Sequence, residues 1–349
     1  MSNKPPFPAS GTYLKSIRET SKSLRQTAKI NISQEAIERL VRSPTFTSTF
    51  ERVSQGHGLK FPLNFSSHLD ELNVLAVLSL LNFGSGYRTA LHAETGRGAW
   101  DTMRALVLSL YLTSATGEED FLSARGMQNI QVGQVAELLR VNVHVERQHE
   151  TLAGVTIGEL GGPLYELLKL ITEVLNETGQ LLIEYGYPNL GSFVLKRLEE
   201  SSELEVVLEQ IVRAFPGFQD MAMVKGQPIY VFKKALFLIH AITIRFGDMN
   251  PAPFPIPDTR DSPVFADNVL PTMLVHFGVI DLTSSGLSIE EVSKEEGYTL
   301  RAAAIEAGER MAEMGGVKET EMDMWIWAIA KEEGYRGLKR MAERATVYF

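Results

Sequence analysis

One carboxylate and one carboxamide, Asp267 and Asn268, interrupt an otherwise apolar stretch over 262–280, which reads S-P-V-F-A-D-N-V-L-P-T-M-L-V-H-F-G-V-I. The apolar residues recur at helical spacing, which predicts a largely buried helix over 264–277. Burial of an ionised carboxylate is costly unless the group is paired or hydrogen-bonded. The chain must therefore compensate Asp267 structurally or use its charge in chemistry.

A structural role for the same two residues is the alternative. Asp267 or Asn268 would then cap the N-terminus of a helix in which Pro271 occupies the first turn, where a missing N–H is harmless. The spacing is consistent with capping and with chemistry, so both interpretations stay open at this point.

A second apolar stretch, over 229–246, carries Lys233, Lys234 and His240. It is apolar on nearly all sides, which predicts a central helix. Lys233 and His240 lie two turns apart and share a face of that helix. Two lysines at the start of a buried helix suit an anion such as phosphate. Alternatively, both lysines extend to solvent, and His240 is a hydrogen-bonded imidazole of the core.

A third stretch, over 319–330, reads E-T-E-M-D-M-W-I-W-A-I-A and predicts a helix with Asp323 at the edge of its apolar face. Asp323 is either part of a polar site or a solvated acid of the first turn, favoured by the helix dipole. Trp325 and Trp327 are typical of a packed core rather than of a platform for a stacked base.

Helical periodicity runs through almost the whole chain. The predicted helices span residues 10–27, 33–41, 69–81, 99–113, 132–141, 162–185, 190–200, 202–215, 229–246, 264–277, 288–295, 300–314 and 320–333. Only residues 221–231, with Lys225-Gly226 at the centre, alternate like a β-hairpin. We therefore predict an all-α fold with at most one short β-hairpin. We expect a single domain over 11–349 after a loose tail of residues 1–10.

Composition excludes several classes of protein. The 349 residues are 44% hydrophobic and 22% charged with a net charge of −9, which is typical of a globular protein and argues against direct binding of nucleic acid. The absence of cysteine excludes disulfides and thiolate catalysis. No apolar run is long enough to span a membrane, and we expect a cytosolic protein. No cluster of histidines and carboxylates has metal-ligand spacing, and we expect no cofactor.

Several short motifs between Tyr13 and Phe349 carry a resemblance to a known family. They are S-I-R-E-T-S-K-S-L at 16–24, L-N-F at 81–83, F-P-G-F-Q-D at 215–220, F-K-K-A at 232–235, F-A-D-N-V-L-P at 265–271, H-F-G-V-I at 276–280, L-R-A-A-A-I at 300–305 and M-D-M-W-I-W at 322–327. On these motifs the chain resembles the queuosine salvage family of queuosine 5′-phosphate N-glycosylases. Details such as N-F-G-S-G-Y-R and T-G-R-G-A resemble its fungal branch.

The resemblance implies an all-α fold similar to helical DNA glycosylases, and hydrolysis of queuosine 5′-phosphate to queuine and ribose 5-phosphate. It implies that Asp267 is the nucleophile or the transition-state stabiliser, and that Phe265 and Asp323 hold the queuine base, with Asp323 accepting from the base N–H groups. His57, in G-H-G-L-K-F-P, resembles the family's early histidine across a one-residue gap. The predicted substrate site is completed by Asn268, His240, Lys233 and Lys234, and the expected partner is a small molecule.

The chain also departs from the family's pattern. Many members carry an acid followed by an aromatic residue late in the central helix, where this chain has His240 and Ala241. The arginine that is common after the F-A-D triplet is absent, and Val269 lies nearby. These departures leave open a non-catalytic protein that binds queuine or a modified nucleotide. The net negative charge makes a tRNA-associated adaptor a weaker third interpretation.

Overall fold

The computed structural model of the chain describes residues 4–54, 59, 61, 63–116, 120–152, 154–290 and 292–349. Its α-helices are α1 (Tyr13–Thr27), α2 (Gln34–Val41), α3 (Pro44–Val53), α4 (His68–Leu80), α5 (Arg88–Thr95), α6 (Ala99–Thr116), α7 (Ala124–Asn129), α8 (Val132–Leu139), α9 (Gly162–Glu184), α10 (Leu190–Glu200), α11 (Leu204–Ala214), α12 (Lys233–Phe246), α13 (Val269–His276), α14 (Lys294–Gly315), α15 (Glu319–Ile329) and α16 (Glu333–Arg336). The strands are β1 (Asn31–Ile32), β2 (His144–Gln148), β3 (Thr156–Leu160), β4 (Met221–Val224), β5 (Gln227–Tyr230) and β6 (Ile280–Asp281). The all-α class is confirmed, since within the described ranges the strands form only two-stranded sheets.

The predicted hairpin is confirmed, and its turn explains it. Strands β4 and β5 pair around Lys225 and Gly226, whose φ angles of 48° and 76° suit the tight turn of a two-residue hairpin loop. The limit of one hairpin was too low, because β2 and β3 form a second one. Strands β1 and β6, which are far apart in the chain, form a further antiparallel pair. Every residue of the β2–β3 ribbon is exposed. Main-chain hydrogen bonds and an exposed ion pair between Arg147 and Glu159 (3.4 Å) hold this ribbon, so no buried face imposes an apolar pattern on its sequence.

Several of the predicted helices differ from the structure, among them the one over 229–246, which begins at Lys233 after β5. The segment over 288–295 was predicted as helical, but α14 begins at Lys294. A capping box sets that start: Glu296 N–H donates to Ser293 Oγ (3.3 Å), and Ser293 N–H donates to the Glu296 carboxylate (2.7 Å). The helix predicted over 264–277 begins at Val269, for reasons given with the site below. The short helices α3, α5, α7 and α16 were not predicted.

The chain divides into two compact units. The first comprises the described residues of Met1–His68, Leu195–Glu343 and Tyr348. In it α14 packs against α1, α13 and α15. The first ten residues of α12, over 233–242, are all buried, as expected for a helix that is apolar all round. Part of the predicted loose tail is packed in this unit, since Pro5 and Pro8 are buried.

The second unit comprises Leu69–Val194, Arg344–Val347 and Phe349. Its helices α7 and α9 pack closely at Gly179, where an added Cβ would lie 2.3 Å from the Gln128 nitrogen. The single domain over 11–349 stays a prediction. No helix in the described part of the chain combines the length and the apolar character that a membrane span requires.

Candidate active site

The segment that carries the F-A-D-N motif is not helical before Val269, and its residues Phe265, Ala266 and Asn268 are buried. The Phe265 N–H donates to Asp323 Oδ2 of α15 (2.7 Å), and Arg301 Nε of α14 donates to the Ala266 carbonyl oxygen (2.7 Å). Buried backbone groups must find partners, and here side chains from distant helices supply them. The predicted helix over 264–277 was therefore wrong for the residues before Val269.

Asp267 caps the helix that follows this segment. Its Oδ1 accepts from the Val269 N–H (2.6 Å) and, at 3.4 Å, from the Leu270 N–H. Pro271 lies in the first turn of α13, where its missing N–H is harmless. The capping interpretation of Asp267 is therefore supported, and the cap uses one of its two carboxylate oxygens. The side chain is partly exposed.

Asn268 has a different structural bond. Its Nδ2 donates to the Met341 carbonyl oxygen (3.0 Å), and the side chain is buried. The Thr272 hydroxyl accepts from the Met341 N–H (3.1 Å), so the C-terminal segment is tied to the start of α13 at two points. Asn268 thereby adds a third hydrogen bond that holds the F-A-D-N segment, beside those made by Asp323 and Arg301.

Asp323 is buried, with 4% of its surface exposed, so the interpretation as a solvated acid of the first turn was wrong. Burial raises the pKa of its carboxyl well above the ordinary value, and the negative charge of Asp267 raises it further. The hydrogen bond from the Phe265 N–H opposes this rise in pKa. Burial therefore favours the protonated form of Asp323, and a protonated carboxyl group both donates and accepts hydrogen bonds.

Lys233 and Lys234 are also buried, with 3% and 0% of their surfaces exposed, so the expectation that they reach solvent was wrong. Burial lowers the pKa of Lys233 to about 8, and the negative charge of Asp267 opposes this fall. Burial and the charge of Lys233 lower the pKa of Lys234 well below its usual value. The amine nitrogen of Lys234 lies 5.9 Å from the ring centre of Phe218 and 5.8 Å from that of Tyr348.

Two aromatic contacts place the α12 side chains against the F-A-D-N segment. The rings of His240 and Phe265 have centres 5.3 Å apart, and Phe237 packs edge-on against Phe265 at 6.0 Å. The Nδ1 atom of His240 is hydrogen-bonded to Thr259 Oγ1 at 3.1 Å. This bond and the burial of His240 support its interpretation as a core imidazole.

The first unit thus gathers Asp267, Asp323 and Lys233 within electrostatic reach of one another, next to the rings of Phe265 and His240. His57 lies outside the described residues. Trp325 is fully buried with its Nε1 bonded to Thr49 Oγ1 (3.0 Å), which confirms that it belongs to the core. Within the described ranges, no three side chains of the metal-binding types converge as a metal site requires.

Two residues with clear structural roles were missed by sequence reasoning. Asp220 and Arg301 form a fully buried ion pair, in which Arg301 Nη1 donates to Asp220 Oδ1 (3.0 Å) and Nη2 donates to Oδ2. Each is the single charged residue of a quoted motif, F-P-G-F-Q-D and L-R-A-A-A-I. A lone charge in an apolar run predicts a buried partner, although the sequence does not say which one.

The fold and the site together define a mostly helical protein with a buried group of ionisable and aromatic side chains around one partly exposed carboxylate. A family model described as queuosine salvage protein matches residues 72–349, and the chain belongs to that family. The motif S-I-R-E-T-S-K-S-L at 16–24 precedes the matched range. A search of curated proteins gave no match to the chain.

Proposed function

We propose that this protein hydrolyses the N-glycosidic bond of queuosine 5′-phosphate and releases queuine and ribose 5-phosphate. The observation that carries the proposal is the partly exposed Asp267 carboxylate, whose charge acts on the buried Asp323 and Lys233. Membership of the queuosine salvage family supports a ligand related to queuine. Ionisable groups with strongly shifted pKa values cluster at functional sites, which favours a catalytic role for this region.

In the proposed reaction, Asp267 stabilises the positive charge that develops on the ribose. Breaking the bond between C1′ and the base nitrogen leaves positive charge on the ribose as an oxocarbenium-like centre. A carboxylate held below C1′ stabilises that charge or bonds to C1′. The cap holds Oδ1 by the Val269 N–H, so the carboxylate is oriented before the substrate arrives. The second carboxylate oxygen is the one we assign to the sugar.

We assign to Asp323 the hydrogen bonds to the departing base. Queuine is a 7-deazaguanine, so there is no N7 to protonate, and the electron pair of the broken bond must be absorbed through the pyrimidine ring. In its protonated form, which burial favours, the Asp323 carboxyl donates a hydrogen bond to an acceptor on that ring and accepts one from a ring N–H. The Phe265 N–H holds its Oδ2 in place. Water supplies the hydroxyl group that bonds to C1′, and its remaining proton balances the proton that the base gains.

Lys233 and Lys234 are assigned to the 5′-phosphate. They begin α12, whose N-terminal N–H groups and dipole favour a negative charge. At neutral pH Lys233 retains most of its charge, because its pKa is about 8. The Coulomb attraction between an ammonium group and a phosphate is larger where water is excluded, because the local dielectric constant is lower.

The direct test is incubation of the purified protein with queuosine 5′-phosphate, followed by chromatography and mass spectrometry of the products. We expect free queuine and ribose 5-phosphate in equal amounts, and no release in a sample without protein. Recovery of the intact nucleotide bound to the protein would overturn the proposal. It would favour a non-catalytic binding protein, for which the structural role of Asp267 as a cap is the supporting observation.

A further inference from the structure

We propose that the buried Asp220–Arg301 ion pair is a positioning device that holds the Asp267 carboxylate at a set place relative to the Lys233 ammonium group. The inference rests on the proposed hydrolysis for its functional meaning. Neither member of the pair is assigned to contact with the substrate. Both act through the main chain that they hold.

Arg301 holds the segment that carries Asp267. Its Nε donates to the carbonyl oxygen of Ala266, the residue immediately before Asp267, at 2.7 Å. Its two terminal nitrogens bind both oxygens of Asp220. All three nitrogens of the planar guanidinium group therefore donate hydrogen bonds. Its central carbon lies 5.3 Å from the ring centre of Tyr298, and this contact further restricts the orientation of the group. A lysine at this position would have neither the fork nor the Nε–H bond.

Asp220 holds the start of α12, which carries Lys233. Its carbonyl oxygen accepts from the Val231 N–H (3.0 Å) and the Phe232 N–H (3.2 Å). The backbone N–H of Lys233 donates to Asp220 Oδ2 (3.4 Å). Phe232 has a left-handed backbone with φ of 48°, which is strained for a bulky residue and persists only where the surroundings impose it. The bonds from Asp220 supply that constraint.

The use of an arginine–aspartate pair at this buried place indicates a role in positioning rather than in stability. A fully buried ion pair is often no more stabilising than apolar side chains of similar volume, because both charges must leave water. A bidentate arginine–carboxylate pair, in contrast, fixes distance and angle at the same time. Here that pair joins the two main-chain segments whose side chains, Asp267 and Lys233, interact electrostatically.

A second ion pair in the same unit provides a matched control. Arg25 of α1 binds Glu306 of α14 through Nε (2.7 Å) and Nη2 (2.8 Å), again as a bidentate fork with both side chains mostly buried. Glu306 lies on the same helix as Arg301. The Arg25 side chain bonds to the Ile30 carbonyl oxygen and not to the F-A-D-N segment. Arg25→Lys therefore removes an equivalent fork without touching the proposed positioning.

The experiment compares Arg301→Lys with Arg25→Lys in the full chain. Thermal unfolding establishes that each variant folds. We expect Arg301→Lys to lower kcat on queuosine 5′-phosphate about 10²-fold with little change in KM, because a small displacement of a reacting group has that effect. Arg25→Lys should leave both constants unchanged. A purely structural role for Arg301 predicts equal kcat values for the two variants and would overturn the proposal.

A second readout does not depend on activity. Titration of lysine side chains by nuclear magnetic resonance follows Lys233, whose pKa is about 8 in the unmodified protein. Arg301→Lys keeps the positive charge that lowers the pKa of Lys233 and leaves Asp220, which raises it. The pKa of Lys233 should therefore fall because Asp267 is no longer held where it supports the charged form. An unchanged pKa in this variant would refute the positioning role even if the protein hydrolyses no nucleotide. Absence of hydrolysis by the unmodified protein would instead refute the proposed function.

If Arg301→Lys does not fold, the double variant Asp220→Asn/Arg301→Gln replaces it. This pair keeps hydrogen-bonding side chains at both positions and leaves no unpaired buried charge, which is the usual cause of misfolding in such variants. The same loss of kcat is expected, because neutral amides do not reproduce the bidentate fork. Full activity in the folded double variant would contradict the proposal.

Discussion

The starts of α13 and α14 are stabilised in different ways. Helix α14 begins with a local capping box, in which Ser293 and Glu296 satisfy each other's backbone N–H groups. Helix α13 begins with Asp267, which also caps from close by, but the chain that leads to it is held by Asp323 and Arg301 from other helices. The start of α14 depends on four consecutive residues, whereas the start of α13 depends on the folded first unit.

This difference explains why one helix start is structural and the other is a candidate site. A local cap determines where its own helix begins and nothing else. A segment held by side chains of α14 and α15 has a set position relative to both helices. Reacting groups need that kind of positional control, since they must meet a substrate within a fraction of an ångström. Variants at the two helix starts should therefore have effects of different kinds.

The largest effect is expected for Asp267→Asn. Asparagine caps a helix about as well as aspartate, so the melting temperature should be retained. Loss of the charge should lower kcat by about 10²-fold or more, as is usual when a preorganised electrostatic group is removed. Asp267→Ala should add a loss of about 1 kcal/mol in stability, because the cap is also lost. Full activity of a folded Asp267→Asn protein would show that the charge of Asp267 is not needed. Asp267 would then only cap α13, as Ser293 caps α14.

The next largest effect is expected on KM when Lys233 or Lys234 is replaced. Replacement of Lys233 by methionine should raise KM for queuosine 5′-phosphate by about 10-fold or more, the usual cost of a lost charged hydrogen bond. Replacement of Lys234 should raise KM less, because its surroundings disfavour the charged form. KM for the dephosphorylated nucleoside should not change. In the unmodified protein, KM for the nucleotide should rise as the pH increases through about 8, where Lys233 loses its charge. Equal effects on nucleotide and nucleoside would show that the lysines do not hold the phosphate.

A smaller effect is expected on the pH dependence of stability. The pKa of Asp323 is higher in the folded protein than in the unfolded chain, so between these two pKa values folding takes up a proton and stability falls as the pH rises. Asp323→Asn removes this dependence and keeps an acceptor for the Phe265 N–H. The stability of the variant relative to the unmodified protein should therefore increase with pH, by up to about 1.4 kcal/mol per pH unit between the unfolded and the folded pKa of Asp323. Urea unfolding from pH 5 to pH 8 measures this slope, and a constant difference would mean that Asp323 is ionised in the fold.

The smallest effect is expected for Ser293→Ala at the start of α14. Loss of the capping box should lower the free energy of unfolding by about 1 kcal/mol. Activity on the nucleotide at a temperature well below unfolding should be unchanged. A marked loss of kcat in a folded Ser293→Ala protein would mean that this local cap also positions the site.

Much of the fold could be predicted from periodicity, because helices and tight hairpins depend on neighbouring residues. The turn at Lys225-Gly226 and the apolar helix α12 are examples. The segment before Val269 could not be predicted in the same way. Its apolar residues follow helical spacing, yet its backbone groups are bound by side chains that are distant in sequence. Local pattern and tertiary hydrogen bonds compete there, and the tertiary bonds prevail.

The sequence by itself determined that the protein is mostly helical, that it resembles the queuosine salvage family, and that Asp267 is a carboxylate in an unusually apolar setting. The tertiary structure alone decided that Asp267 precedes its helix, that Lys233 and Asp323 are buried, and that Asp220 pairs with Arg301 across 81 positions of the chain. The physical reason is that burial and charge pairing depend on which segments meet in space. Periodicity reports only which face of a segment is apolar.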